Sequence, residues 1–278
     1  MMPALEDQYE DVLSKACSGK GIGKRELTAQ AGLSDEAVHR AFRGECEPET
    51  AHAVAKVLKL HAPSLVRLGE KTPHPQVMPP AGVGAFTTPH PVPGYEEMTV
   101  NAYLVWDTST REAVVFDSGA DADPILEVIR SENLSLKYIL LTHAHGDHIA
   151  DLEKLASATG TPPIFINARE SAPKAQGMQG GERFEVGNLK ITTREISGHS
   201  PGGTTFVIEG LEQPVAIVGD AIFACSVGGA GNAWEAALEA IRTQILSLPD
   251  DTILCPGHGP LTTVALEKAH NAFFPEFK

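Results

Sequence analysis

The chain has 278 residues, of which 42% are hydrophobic and 21% charged, and its formal net charge is −14. This balance is typical of a globular protein with a sizeable core, and the negative charge argues against a nucleic-acid binder that relies on a broad basic surface. Four cysteines without a C-x-x-C pair, no apolar leader and no run of membrane-spanning length predict a cytoplasmic protein with reduced thiols.

Residues 1–72 are predicted to form a small all-α domain with a helix-turn-helix-like arrangement. A helix, a turn containing Gly32 and a second helix capped by Ser34 resemble the turn region of repressor-type helix-turn-helix proteins. Helices are expected at 7–16, 24–31, 37–42 and 49–60.

The helix that follows this turn has two interpretations, DNA binding or packing within a bundle that could also form a homodimer. His39, Arg40 and Arg43 are the side chains that could contact DNA. The segment is nearly neutral, however, with ten Lys and Arg against eleven Asp and Glu, and the helix opens with Asp35 and Glu36. The sequence therefore favours packing over DNA binding.

Residues 73–93 contain seven prolines and are predicted to be a stiff, extended linker, part of which could lie along the second domain as an edge segment. From residue 94 short β-rich runs alternate with helical patterns, so 94–278 are predicted to form a larger second domain. Strands are expected at 99–106, 113–116, 137–141, 163–166, 189–196, 204–208, 214–218 and 252–255. Helices are expected at 122–131, 149–155, 168–175, 234–246 and 264–271.

The densest chemical signal follows the strand expected at 137–141. His143 and His145 are two residues apart, which places both imidazoles on one face of an extended chain. Asp147 and His148 come next, and Asp147 is also a good N-cap type for the following helix. Three imidazoles and a carboxylate suit zinc, iron or manganese better than calcium, so a metal site is predicted here.

Three later strand ends carry residues of the same kind. His199 lies in a Gly-rich loop, Asp220 ends an apolar strand, and His258 follows the last predicted strand. A carboxylate at the end of an apolar strand is costly to bury unless it is paired or bound to a cation.

Taken together, these motifs resemble the metallo-β-lactamase superfamily. The pattern His143-x-His145-x-Asp147-His148 is followed in the family's order by Gly-His-Ser-Pro-Gly, Gly-Asp and Pro-Gly-His, over about 94–278. The resemblance implies an α/β (α+β) four-layer αββα sandwich with the metals at one edge, preceded here by the small helical domain.

The resemblance also implies a ligand set and a reaction. Seven side chains would hold two divalent ions, zinc first and iron or manganese as alternatives: His143, His145 and His199 on one ion, Asp147, His148 and His258 on the other, and Asp220 between them. Asp117, in an Asp-x-Gly strand end, would support the ligands without binding metal. A bridging hydroxide would attack a carbonyl carbon, with Asp147 orienting it.

Within the family, Asp220 and the C-terminal tail resemble the short glyoxalase II-like hydrolases, which implies a small thioester or related ester as substrate. Classical members carry a further C-terminal helical domain that grips glutathione, and the sequence shows no counterpart, so the thiol carrier stays open. The alternatives are a persulfide dioxygenase with one iron held by two His and one Asp, a lactonase, and a metabolite-responsive DNA-binding regulator.

Overall fold

A computed structural model of the protein, which describes residues 4–278, contains two six-stranded sheets that pack face to face. The first sheet consists, in spatial order, of β1 (Val83–Pro89), β2 (Thr99–Trp106), β3 (Glu112–Phe116), β4 (Ser135–Leu140), β5 (Ile164–Asn167) and β6 (Gln176–Met178). The remaining strands are β7 (Arg183–Val186), β8 (Leu189–Glu195), β9 (Thr204–Glu209), β10 (Val215–Gly219), β11 (Ile222–Phe223), β12 (Ser226–Val227), β13 (Ile253–Pro256) and β14 (Thr262–Thr263). The second sheet has the order β14-β13-β10-β9-β8-β7, and β11 pairs with β12 in a small hairpin.

The helices fall into an N-terminal group and a group that covers the sheets. The first group is α1 (Tyr9–Lys20), α2 (Lys24–Ala31), α3 (Asp35–Ala41), α4 (Pro48–Leu58) and α5 (Ala62–Gly69). The second is α6 (Asp123–Ser131), α7 (Leu152–Ala158), α8 (Trp234–Ala240), which continues in a wider turn over Ile241–Ile245, and α9 (Val264–His270). Residues 1–3 of the predicted helical segment lie outside the described residues. No helix within 4–278 is both long and apolar enough to cross a membrane.

The layers follow from where the apolar side chains point. Between the sheets, the rings of Phe116 and Phe206 pack with centroids 5.1 Å apart. Val115, on the opposite face of β3, packs in a cluster with Ile125 of α6 and Leu155 of α7. Strands buried on both faces need a cover on each side, and this explains why the central strands are almost continuously apolar. The predicted four-layer αββα sandwich is confirmed.

Parallel pairing brings the functional loops to one edge. β3, β4 and β5 run parallel in the first sheet, and β10 runs parallel to β13 in the second. Parallel strands end at the same edge of a sheet, so the segments that follow β3, β4, β10 and β13 meet there.

The N-terminal helices share a hydrophobic core with the sandwich. Leu13 of α1 belongs to the same buried cluster as Trp234 of α8. At Gly19 the helices approach so closely that a Cβ there would lie 2.1 Å from Trp234 Cδ2. Lys15 Nζ also donates a hydrogen bond to the carbonyl of Val227 at 2.9 Å. The N-terminal helices therefore pack against α8, in the helical layer that covers the second sheet.

Several elements differ from the sequence-based expectation. The helix predicted at 168–175 is wrong: Glu170 N donates to the carbonyl of Asn167 in a turn, and Pro173 lacks the N–H that a helix would use. The segment predicted as a linker contains β1, the edge strand of the first sheet, which pairs with residues 99–105 of β2. The helix α5, at whose N-terminus His61 Nδ1 accepts from Ser64 N, was not predicted.

The close approach at Gly19 yields a stability prediction. Gly19→Ala should lower the free energy of unfolding by about 1–3 kcal/mol because the added methyl group collides with the indole, although alanine is the better helix former. Urea unfolding, followed by tryptophan fluorescence, measures this change. Gly23→Ala is the control, because a Cβ at Gly23 meets nothing within 4 Å. Equal stability of the Gly19 variant and wild type would show that α1 does not rest on Trp234.

Candidate metal centre

The segments that meet at the sheet edge bring together every side chain predicted as a metal ligand. These are His143, His145, Asp147 and His148 after β4, His199 after β8, Asp220 after β10 and His258 after β13. Their ligand-type atoms form two groups, each within 4.8 Å: His143, His145, His199 and Asp220 in one, and Asp147, His148 and His258 in the other.

Asp220 lies between the two groups. Its Oδ2 is 3.3 Å from His199 Nε2 in the first group and 3.3 Å from His258 Nε2 in the second. Its Oδ1 is 3.2 Å from His148 Nε2. One carboxylate is therefore within reach of both clusters, which is the placement expected of a side chain shared by two cations.

Four imidazoles are held from behind through Nδ1, so that Nε2 faces the centre. The partners are Asp117 Oδ2 for His148 at 2.8 Å, Thr142 Oγ1 for His143 at 3.0 Å, the Gly229 carbonyl for His199 at 3.0 Å and the Thr99 carbonyl for His258 at 2.6 Å. Such hydrogen bonds set the ring orientation and the tautomer of metal-binding histidines.

Three of the inward-facing atoms are unsatisfied, and this tests whether a cation fits. His143 Nε2, His148 Nε2 and Asp220 Oδ1 are buried without a hydrogen-bond partner among residues 4–278. Buried polar atoms left unpaired cost free energy, and two divalent cations, one in each group, would satisfy all three. Imidazole nitrogen and carboxylate oxygen are the donors that zinc, iron and manganese accept, so the residues fit such ions.

The carboxylates of the cluster favour the protonated form of two imidazoles. Burial opposes the charged form of His148, but the carboxylates of Asp220 and Asp117 outweigh it and raise its pKa to about 10. Burial likewise opposes protonation of His258, whereas hydrogen bonds to Asp147 and Asp220 raise its pKa to about 11. Binding of a cation must therefore displace protons from these rings.

Asp117 lies behind the site and belongs to neither group. Its Oδ2 accepts from Thr142 Oγ1 at 2.7 Å as well as from His148, and its Oδ1 accepts from Thr142 N at 2.8 Å. Sequence reasoning missed Thr142, although its place directly before His143 was a usable signal. It also missed the supporting carbonyls of Thr99 and Gly229, since backbone groups leave no mark in a sequence.

The expectation that Asp147 caps a helix is wrong. The helix α7 begins only at Leu152, because His148 N donates to the carbonyl of His145 in a turn. The Asp147 carboxylate instead lies 3.3 Å from His258 Nε2. The carboxylate therefore pairs with an imidazole of the cluster and does not cap a helix.

The loop that carries His258 approaches the centre through a glycine. A Cβ at Gly257 would lie 2.1 Å from Asp220 Oδ1 and 2.5 Å from His148 Cε1. Behind this loop, Asn101 Nδ2 donates to the Gly259 carbonyl at 2.8 Å, and Tyr103 OH donates to the carbonyl of Pro256 at 2.6 Å.

The residues predicted for DNA contact lie on and just after α3. His39 and Arg43 are exposed, whereas Arg40 Nη2 is 2.5 Å from Glu47 Oε1. Arg40 is therefore already paired within the helical region, and DNA binding by this helix stays a prediction.

Comparison with known proteins agrees with this geometry. A family profile described as the metallo-beta-lactamase superfamily matches residues 95–258. Hydroxyacylglutathione hydrolase GloC of Haemophilus influenzae is 30% identical over 207 residues, which cover 66% of this chain and 95% of that protein. The crystal structure of BLEG-1 B3 metallo-beta-lactamase superposes with a TM-score of 0.59 at 29% identity, over 69% of this chain and 99% of that one. The crystal structure of TTHA1623 in a di-iron-bound form superposes with a TM-score of 0.51 at 28% identity. The match covers 67% of this chain and 99% of that one.

The protonated histidines give a calorimetric prediction. Metal uptake by the metal-free protein at about pH 8 should release about two protons, since His148 and His258 both have pKa values above that pH. Isothermal titration in buffers of different ionisation enthalpy counts the protons. A heat of binding that does not depend on the buffer would contradict this protonation pattern.

The role of Asp117 gives a second prediction. Asp117→Asn should weaken metal affinity about 10–100-fold, because an amide has one acceptor oxygen where the carboxylate uses two, one for His148 Nδ1 and Thr142 Oγ1 and the other for Thr142 N. Competition with a chromophoric chelator measures the affinity. Asp121→Asn, an exposed carboxylate four residues away, serves as the control. Equal affinities for the two variants would remove Asp117 from the supporting network.

Proposed function

The chain belongs to the metallo-beta-lactamase superfamily, and we propose that it is a metal-dependent hydrolase of a small thioester or related ester. It would work with two divalent ions, for which zinc is the first expectation and iron or manganese the alternatives. We further propose that 94–278 form the catalytic domain and that the helical segment 1–72 is joined to it through 73–93.

One observation carries the two-ion proposal: Asp220 contacts both ligand groups. His143, His145 and His199 would hold one ion, while Asp147, His148 and His258 would hold the other. The structure of TTHA1623, described as di-iron-bound, supports the same count in a structurally similar protein. The thioester substrate is proposed from the GloC relative, which is named a hydroxyacylglutathione hydrolase.

The roles of the chain's own residues follow from their protonation states. When bound, divalent ions would supply a water acidic enough to attack near neutral pH and a positive charge that polarises the substrate carbonyl. Burial would raise the pKa of Asp147, but His258 and His148 lower it to about 2. Asp147 is therefore a carboxylate at neutral pH, suited to orient a water by accepting its hydrogen and too weak a base to store its proton.

Covalent catalysis by a thiol is disfavoured. Burial raises the pKa of Cys255 and Cys225 well above the usual value, and the carboxylate of Glu267 raises that of Cys225 further. Because the thiolate is the nucleophilic form, neither side chain is suited to attack a carbonyl near neutral pH.

The decisive experiment combines elemental analysis of chelator-free protein with hydrolysis assays on the same sample. About two zinc, iron or manganese ions per chain together with thioester turnover are expected. One iron per chain, with oxygen uptake on glutathione persulfide and no thioester turnover, would overturn the hydrolase in favour of a dioxygenase. Absence of bound metal even after metal is added back would overturn the metal site itself.

Asp220→Asn tests the shared carboxylate. The variant should lose at least about 100-fold in kcat/KM, roughly 3 kcal/mol, because a neutral amide cannot balance two cations. Its metal content should fall toward one ion per chain. Asp251→Asn, at an exposed position outside the cluster, is the matched control. Full activity and two retained ions in the Asp220 variant would contradict the proposed role.

A further inference from the structure

A cavity of about 740 Å³ begins beside the candidate metal centre. Its lining includes Thr99, whose carbonyl accepts a hydrogen bond from His258 Nδ1, and Gly259, the residue that follows His258. The cavity therefore starts one residue away from a proposed metal ligand. Because Thr99 lies behind the His258 ring and no proposed metal ligand lines the cavity, a substrate held at the centre would reach this cavity by extending past the His258 loop.

One wall of the cavity comes from the segment that leads into α1. Leu5, Glu6 and Gln8 line the cavity. The segment lies so close to the loop of His258 that a Cβ on Gly259 would be 3.1 Å from Glu6 N. Residues of the helical region thus reach the edge of the metal centre.

This segment is anchored rather than loosely apposed. The carboxylate of Asp7 accepts short hydrogen bonds from Ser226 Oγ and Lys15 Nζ. The Lys15 ammonium also lies 5.0 Å from the ring centre of Phe223, and that ring packs against His258 at 5.7 Å between centroids. The wall is therefore tied to the β11–β12 hairpin, which follows Asp220 in the chain and whose Phe223 ring packs against His258.

The opposite wall is the turn between β1 and β2. Val92, Tyr95 and Met98 line the cavity there together with Glu97. Tyr95 is 72% exposed, an unusual degree for a large hydrophobic side chain. The cavity thus pairs an apolar surface with carboxylates, a lining that favours an apolar group in its interior.

The charged side chains that line the cavity within residues 4–278 are Glu6 and Glu97, and both are acidic. A further carboxylate on a bound substrate would add like-charge repulsion at this lining.

We propose that this cavity receives an uncharged, apolar carrier or acyl group and discriminates against carboxylate-bearing carriers such as glutathione. The segment before α1, through Leu5 and Glu6, is then a specificity element that the helical region contributes to the hydrolase. This inference rests on the proposed function, because it assigns the substrate class of that same site.

The test compares two thioesters with one acyl group, S-lactoylglutathione and S-lactoyl-N-acetylcysteamine, on the metal-loaded full-length protein. The uncharged thioester should have a kcat/KM about 10-fold or more higher, and added salt should narrow this ratio because it screens charge. The double variant Glu6→Gln, Glu97→Gln should reduce the ratio about 3–10-fold. Glu127→Gln, an exposed carboxylate on α6, should leave the ratio unchanged.

A ratio that favours glutathione, or that neither salt nor the double variant alters, would overturn the inference. Hydrolysis of neither thioester by metal-loaded protein would instead overturn the proposed function. Calorimetry with S-hexylglutathione and S-hexyl-N-acetylcysteamine separates the two cases, since binding needs no turnover. Tighter binding of the uncharged conjugate is expected, and tighter binding of the glutathione conjugate, or binding of neither, would contradict the cavity's assignment.

Discussion

The burial of Asp220 among imidazoles is the constraint on which the rest of the structure depends. Its side chain is only 6% exposed, and a carboxylate removed from water costs several kcal/mol unless a positive charge lies close by. That charge has to come from groups on other loops, because the chain next to Asp220 offers none. The fold therefore has to hold β4, β8, β10 and β13 with their following loops at one edge, and Gly257 leaves the space for the last of them.

The N-terminal helices belong to this same architecture. They share a buried hydrophobic cluster with α8 and the second sheet. At Gly19 the backbone of α1 lies directly against the indole ring of Trp234, where a larger side chain would not fit. Arg40 pairs with Glu47 within the helical region, while Asp7 and Lys15 reach the loop after Asp220. These contacts give the helices a physical part in shaping the surroundings of the metal centre.

The sequence predicted elements well where one side-chain pattern decides the local structure. The strand at Thr99–Trp106 was predicted at its observed bounds, and Ser34 does cap α3 by accepting from Ala37 N. The failures have a common cause. Asp147 was a plausible helix cap, but a turn closed by His148 N and the His145 carbonyl delays the start of α7 to Leu152. Residues 168–175 were a plausible helix, but a turn closed by Glu170 N and the Asn167 carbonyl takes its place. The sequence allowed an edge segment within the Pro-rich stretch, but the bounds of β1 became visible only through its pairing with β2.

The sequence predicted a cluster of metal-binding residue types at strand ends, and its resemblance to a known family implied the αββα architecture and the order of the parts. Strand-end His and Asp residues are identified by type and spacing, and burying so many of them is costly without a cation. Only the tertiary structure decided that Thr142 and the carbonyls of Thr99 and Gly229 orient the rings, and that Leu5 and Glu6 line the cavity beside the His258 loop. These contacts join residues that are far apart in the chain, and many of them are made by backbone atoms. Because every amino acid has the same backbone atoms, the sequence gives no sign of which ones make such contacts.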